Sequence, residues 1–140
     1  MRKQVVLLGA ILIALVTFGS CKKQDEATKP LSEKLFGRWS VEKVVTTTQT
    51  GTGPQSTTQN YQSSDYMDFR KSENNDVEVK LGANTSLGTF TTTVDQTLYL
   101  TISGKSLVCQ MDQITSNKAQ FTGTVTGSNP KVTETYYLYR

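Results

Sequence analysis

From residue 35 onward, apolar and polar positions alternate in short segments, and clusters of turn-forming residues separate the segments. A period of two is the signature of a half-buried β-strand. The clearest cases are Val77, Val79 and Leu81, and Leu98, Leu100 and Ile102 set against Tyr99 and Thr101. Reading the whole chain this way predicts strands at roughly 37–49, 63–71, 76–81, 87–94, 97–103, 106–114, 118–125 and 131–139. Thr, Val, Tyr and Phe recur in them and suit a pleated surface.

The punctuation agrees with this reading. Glu73-Asn74-Asn75-Asp76 and Gly82-Ala83-Asn84 are turn clusters, and Gly127-Ser128-Asn129-Pro130 separates the last two strands. Ser103-Gly104-Lys105 and Ser116-Asn117-Lys118 read as tight hairpins, where Gly or Asn accepts a positive φ. Thr50 to Gln59 is polar throughout, has no apolar anchor, and reads as a long loop. Short connections make neighbouring strands antiparallel. The expected fold is all-β: an eight-stranded antiparallel up-and-down barrel, with a two-layer sandwich as the alternative. Closure is favoured because it removes exposed strand edges.

The first residues follow a different pattern. Arg2 and Lys3 precede an uncharged apolar run from Val5 to Phe18, and small residues Gly19 and Ser20 follow. A 14-residue helix rises about 21 Å, short of the roughly 30 Å hydrocarbon core. This is the layout of a secretory signal peptide over 1–20. Residues 21–34 are charged and carry Pro30, which predicts a tether. The barrel domain is then 35–140.

Composition narrows the chemistry. The chain has 140 residues, which allows one domain. It has no histidine, which removes His-based triads and His-ligated zinc or haem. Two cysteines are too few for a zinc ribbon or a disulfide scaffold. Loss of Arg2 and Lys3 with the signal takes the basic count from 15 to 13 against 12 acidic residues. The net charge of +3 falls to about +1, and no basic patch remains to argue for nucleic acid.

Phe18-Gly19-Ser20-Cys21 resembles the lipobox of bacterial lipoproteins, although Phe stands where Leu is usual. The resemblance implies cleavage before Cys21 and attachment of acyl chains such as palmitate to that cysteine. Two or more chains would anchor the protein stably to a membrane. Lys22-Lys23-Gln24-Asp25-Glu26 resembles the acidic export tag of Bacteroidetes surface lipoproteins, and reads equally well as a solvated linker. The expected location is the cell envelope, at the outer membrane.

Leu35-Phe36-Gly37-Arg38-Trp39-Ser40-Val41 resembles the G-x-W opening of lipocalins. Met67-Asp68-Phe69, Leu87-Gly88-Thr89-Phe90, Gln113 to Lys118 and Tyr137-Leu138-Tyr139-Arg140 extend the likeness over 35–140. Together they resemble the lipocalin-like domain of small Bacteroidetes-type lipoproteins. That resemblance implies that Trp39 plugs one end of the barrel and that Arg140 covers it.

Few residues suggest catalysis, and neither an enzyme nor a cofactor or metal is expected. Asp76 and Glu78 share a face opposite Val77 and Val79 and read as solvated, with Asp65, Asp68 and Glu73 nearby. Cys109 is in phase with Leu107 and Met111, which predicts a buried, inert thiol. Gly51-Thr52-Gly53 lacks the Lys-Ser of a phosphate loop. Glu134 is in phase with Val132, Tyr136 and Leu138, so it points into the barrel unless a bulge turns it out.

Two functions fit these readings. The barrel could bind a small apolar or amphipathic ligand, lined by Met67, Phe69, Phe90, Leu98, Leu100, Met111, Phe121 and Tyr136, with Glu134 as a polar contact. Alternatively, those large side chains fill the barrel. The chain is then a structural or interaction module, meeting a protein or glycan through residues 50–59 or the outer tyrosines.

Overall fold

A computed structural model describes residues 25–140, apart from the Glu26 side chain. The signal segment, Cys21 and the first tether residues lie outside the described residues. The described residues form a 3-10 turn at Glu26–Thr28, a one-turn helix α1 (Leu31–Leu35) and nine strands. These are β1 (Gly37–Thr50), β2 (Gly53–Asn60), β3 (Tyr66–Phe69), β4 (Asp76–Leu81), β5 (Asn84–Thr92), β6 (Thr97–Ile102), β7 (Lys105–Ile114), β8 (Lys118–Val125) and β9 (Val132–Tyr139).

All strand pairings are antiparallel. Strands β3 to β9 follow one another around the sheet, and β1 pairs with both β3 and β9. Eight strands therefore close into a barrel, and the sandwich is excluded. Closure runs from Ser40 opposite Tyr139 to Thr48 opposite Val132.

The alternating residues do what their period requires. In β4, Val77 and Val79 are buried while Asp76, Glu78 and Lys80 are half-exposed. In β6, Leu98, Leu100 and Ile102 are buried while Tyr99 and Thr101 are exposed. The turn Ser103-Gly104 has positive φ at both residues, as a two-residue hairpin demands. In β1 the inward phase is Trp39 and Val41, then Val44, because a register shift falls between Val41 and Lys43.

Three expectations need correction. Residues 50–59 are not a loop: β2 spans Gly53–Asn60 and pairs with β1 from Lys43↔Asn60 to Thr50↔Gly53. Thr-rich backbone forms this ladder without an apolar anchor because β1 supplies the template. The strand expected over 63–71 contracts to Tyr66–Phe69, since Asp65 turns the chain before it. The tether also reaches further into the fold than its charge suggested. Leu31 and Leu35 are buried in the core, four apart on one face of α1.

Candidate functional site

The barrel interior holds every residue predicted to line a ligand cavity. Met67, Phe69, Phe90, Leu98, Leu100, Phe121 and Tyr136 are buried, and Met111 packs partly buried beside them. They pack against one another. Phe69 meets Phe90 edge-on at 5.1 Å, and Phe36 meets Phe90 at 6.1 Å. Phe121 stacks on Tyr136 at 5.0 Å. Gly123 is inward and opposite Cys109, where a Cβ would stand 2.7 Å from the Cys109 sulfur and 2.9 Å from Leu107. A position that refuses even a methyl group marks native packing density.

The α1 end of the barrel is sealed. The Trp39 indole N–H donates to the Leu35 carbonyl at 2.8 Å. The Arg140 guanidinium lies 3.7 Å over the Trp39 ring and donates to the carbonyls of Leu35 and Phe36. Trp39 and Arg140 thus close this end of the barrel together. A cation over an indole adds to burial, and the guanidinium takes up carbonyls that the helix end leaves unpaired.

Toward the other end lies a buried polar group. Glu134 does point inward and is only 6% exposed. Its carboxylate accepts from Lys105 Nζ at 2.5 Å and from the Tyr136 hydroxyl at 2.6 Å. Burial, the Glu134 charge and its hydrogen bond push the Tyr136 phenol far above its usual range. Burial chiefly, then the Glu134 charge, pushes the Cys109 thiol up to about 12. At neutral pH that cysteine stays a thiol, so it is a poor nucleophile. The cluster is internally satisfied: among the described residues, no buried side-chain nitrogen or oxygen lacks a hydrogen-bond partner.

The carboxylates around β3 and β4 split into two roles. Asp65 is buried, and its oxygens accept the backbone N–H groups of Gln62 and Gly82, both at 2.7 Å. These hydrogen bonds hold its carboxyl below the usual carboxylate range. It thus ties the β2–β3 connection to the β4–β5 turn. Spacing gave no sign of this, because both partners are backbone groups and one of them, Gly82, lies across the barrel sheet in another turn. Asp68 and Glu78 instead join Arg38 and Arg70 in an outer ion-pair cluster, with Tyr66 donating to Glu78. Among the described residues, no three metal-ligating side chains converge.

Two surface features remain. A groove of about 520 Å³ lies between the chain entering α1 and the β5–β6 loop, lined by Ala27, Pro30, Leu31, Thr92 and Val94. Val94 is wholly exposed. The second feature is the β1–β2 hairpin. Every residue of β2 from Pro54 to Asn60 is exposed, so both its faces leave the core. Among the described residues, strand β2 has β1 as its only neighbour in the sheet. No charged residue occurs between Lys43 and Asp65. No protein-family profile, curated protein or solved structure matches this chain.

Proposed function

We propose that this chain is an envelope lipoprotein, anchored through acyl chains on Cys21, whose filled barrel mounts the β1–β2 hairpin as an interaction element for a protein or glycan. The observation that carries this reading is the interior packing. The residues that would have lined a ligand cavity contact one another, and Glu134 spends its acceptors on Lys105 and Tyr136. An eight-stranded barrel has room for its own side chains or for one small ligand. A projecting, uncharged, hydroxyl-rich hairpin on a rigid body is then the feature left to meet a partner.

Photo-crosslinking in intact cells tests this. A benzophenone side chain at Thr57 should give discrete adducts, and the same group at Thr89 on β5 should not. Equal or absent labelling at both positions would sink the hairpin reading. Cys21→Ala should move the chain from the membrane to the soluble fraction.

The small-ligand reading keeps one specific support, the outer groove beside α1. Its volume exceeds the roughly 300 Å³ of small-molecule sites. Native mass spectrometry with a fatty-acid panel checks it: an adduct lost in Val94→Asp would place a ligand there, outside the barrel.

A further inference from the structure

The hydrogen-bond phase of β2 fixes which of its backbone groups face solvent. Tyr61 donates its N–H to the Glu42 carbonyl at 2.9 Å, continuing the Thr50↔Gly53 ladder at every second pair. In an antiparallel ladder, hydrogen-bonded and non-hydrogen-bonded pairs alternate. Gly53, Gln55, Thr57 and Gln59 therefore bond to β1, while Pro54, Ser56, Thr58 and Asn60 turn their backbone groups outward. Two facts fit this phase. Pro54, which has no N–H, falls where β1 needs none, and Ser56 bonds Thr47 through side chains at 2.7 Å.

Exposed strand edges are templates for another strand, and proteins ordinarily blunt them with lysine, proline or a bulge. This edge carries no lysine or other charge, and its one proline sits next to the hairpin tip. We propose that β2 pairs antiparallel with β2 of a second copy of this chain, about a two-fold axis at Thr58. This rests on the reading of the hairpin as an interaction element, and names the partner.

The register follows from the chain's own groups. Centred on Thr58, Thr58 faces Thr58 and Ser56 faces Asn60 twice over, so all three outward N–H groups and their carbonyls are paired. Pro54 then lies beyond the ladder. A shift of the axis toward the tip sets Pro54 against Asn60 or Thr58 and orphans a carbonyl. A shift the other way calls on the Gln62 N–H, which Asp65 already holds. Charge points to a second copy as well. A like-charged edge would repel itself, whereas this one is neutral along its length. The side chains brought together are Thr with Thr, Ser with Asn and Thr with Gln, all able to hydrogen-bond.

Sedimentation of the full chain in density-matched detergent micelles tests the proposal. The wild type should form a dimer. Thr58→Pro removes an outward N–H and leaves the β1 ladder intact, and should weaken dimerisation at least tenfold. Facing residues in a hydrogen-bonded pair stand about 5.5 Å apart, within disulfide range. In a Cys21→Ser background, Thr58→Cys should therefore oxidise quickly to a covalent dimer, and Thr89→Cys should not; Cys109 is buried and silent. A wild type that stays monomeric, with Thr58→Cys oxidising no faster than Thr89→Cys, overturns the pairing. If the Thr57 photoprobe still labels a different protein or a glycan, the hairpin reading survives and only the choice of partner fails.

Discussion

Strand β1 lives in two environments. From Gly37 to Val44 it places Trp39, Val41 and Val44 in the core, held by β3 and β9. From Val45 to Thr50 it has no fully buried residue, and its neighbour β2 is exposed on both faces. Both halves are strand, paired on both edges, with one register shift between Val41 and Lys43. The difference teaches that backbone pairing and apolar burial are separable. The lower half is a strand because its side chains must be buried. The upper half is a strand because Val, Thr and Gln tolerate the pleat and a template is present.

The largest expected effect lies in the lower half. Trp39→Ala should cost about 3–5 kcal/mol, since it empties the plug and strips Arg140 of its ring. Urea unfolding measures it. A loss below about 1 kcal/mol would mean that the core does not depend on this end. At the boundary between the halves, Glu134 sits opposite Thr46. Glu134→Ala should cost about 2–3 kcal/mol, because the buried Tyr136 hydroxyl and the Lys105 ammonium lose their acceptor. Tyr136→Phe should cost less, as Lys105 still pairs the carboxylate.

Asp65 provides a pH-dependent test of the same boundary. Its native carboxyl titrates below the unfolded one, so its stabilisation is complete above the ordinary carboxyl range. It is lost as pH falls from about 4 through the lowered native value. Melting curves at pH 6 and pH 3 should show a smaller acid-induced drop for Asp65→Asn than for wild type. An equal drop would assign acid sensitivity to Glu78 and Asp95, whose carboxyls are also held low by hydrogen bonds. The smallest effect belongs to β2, the neighbour of the upper half. Gln55→Ala should leave stability within about 0.5 kcal/mol, as an exposed position should. A larger loss would mean that β2 packs on something in solution.

Sequence legibility followed the same division. Strands β4 and β6 were readable because Val77 and Val79, and Leu98, Leu100 and Ile102, carry their burial as a period of two. Trp39 and Arg140 were readable only through resemblance, since their contact joins the two ends of the domain. Strand β2 was not readable, because its residues are buried by nothing and periodicity reports only burial. The burial of Leu31 escaped notice because one apolar residue in a charged segment, in a helix of five residues, leaves no periodic trace. The lining residues of the barrel were legible as inward-facing. That they would fill the barrel depended on how the rings meet, which is a matter of tertiary geometry.

The pairing of β1 with β9 also orders events in time. A chain delivered N-terminus first presents Ser40 and Thr48 long before Tyr139 and Val132 arrive to meet them. Until then the inner edge of β1 stays open, Glu134 is not yet available to Lys105, and Trp39 lacks the guanidinium that covers it. Contacts so distant in sequence form slowly. The topology therefore keeps the barrel unlocked until β9 is made, and that strand is the one that shuts it.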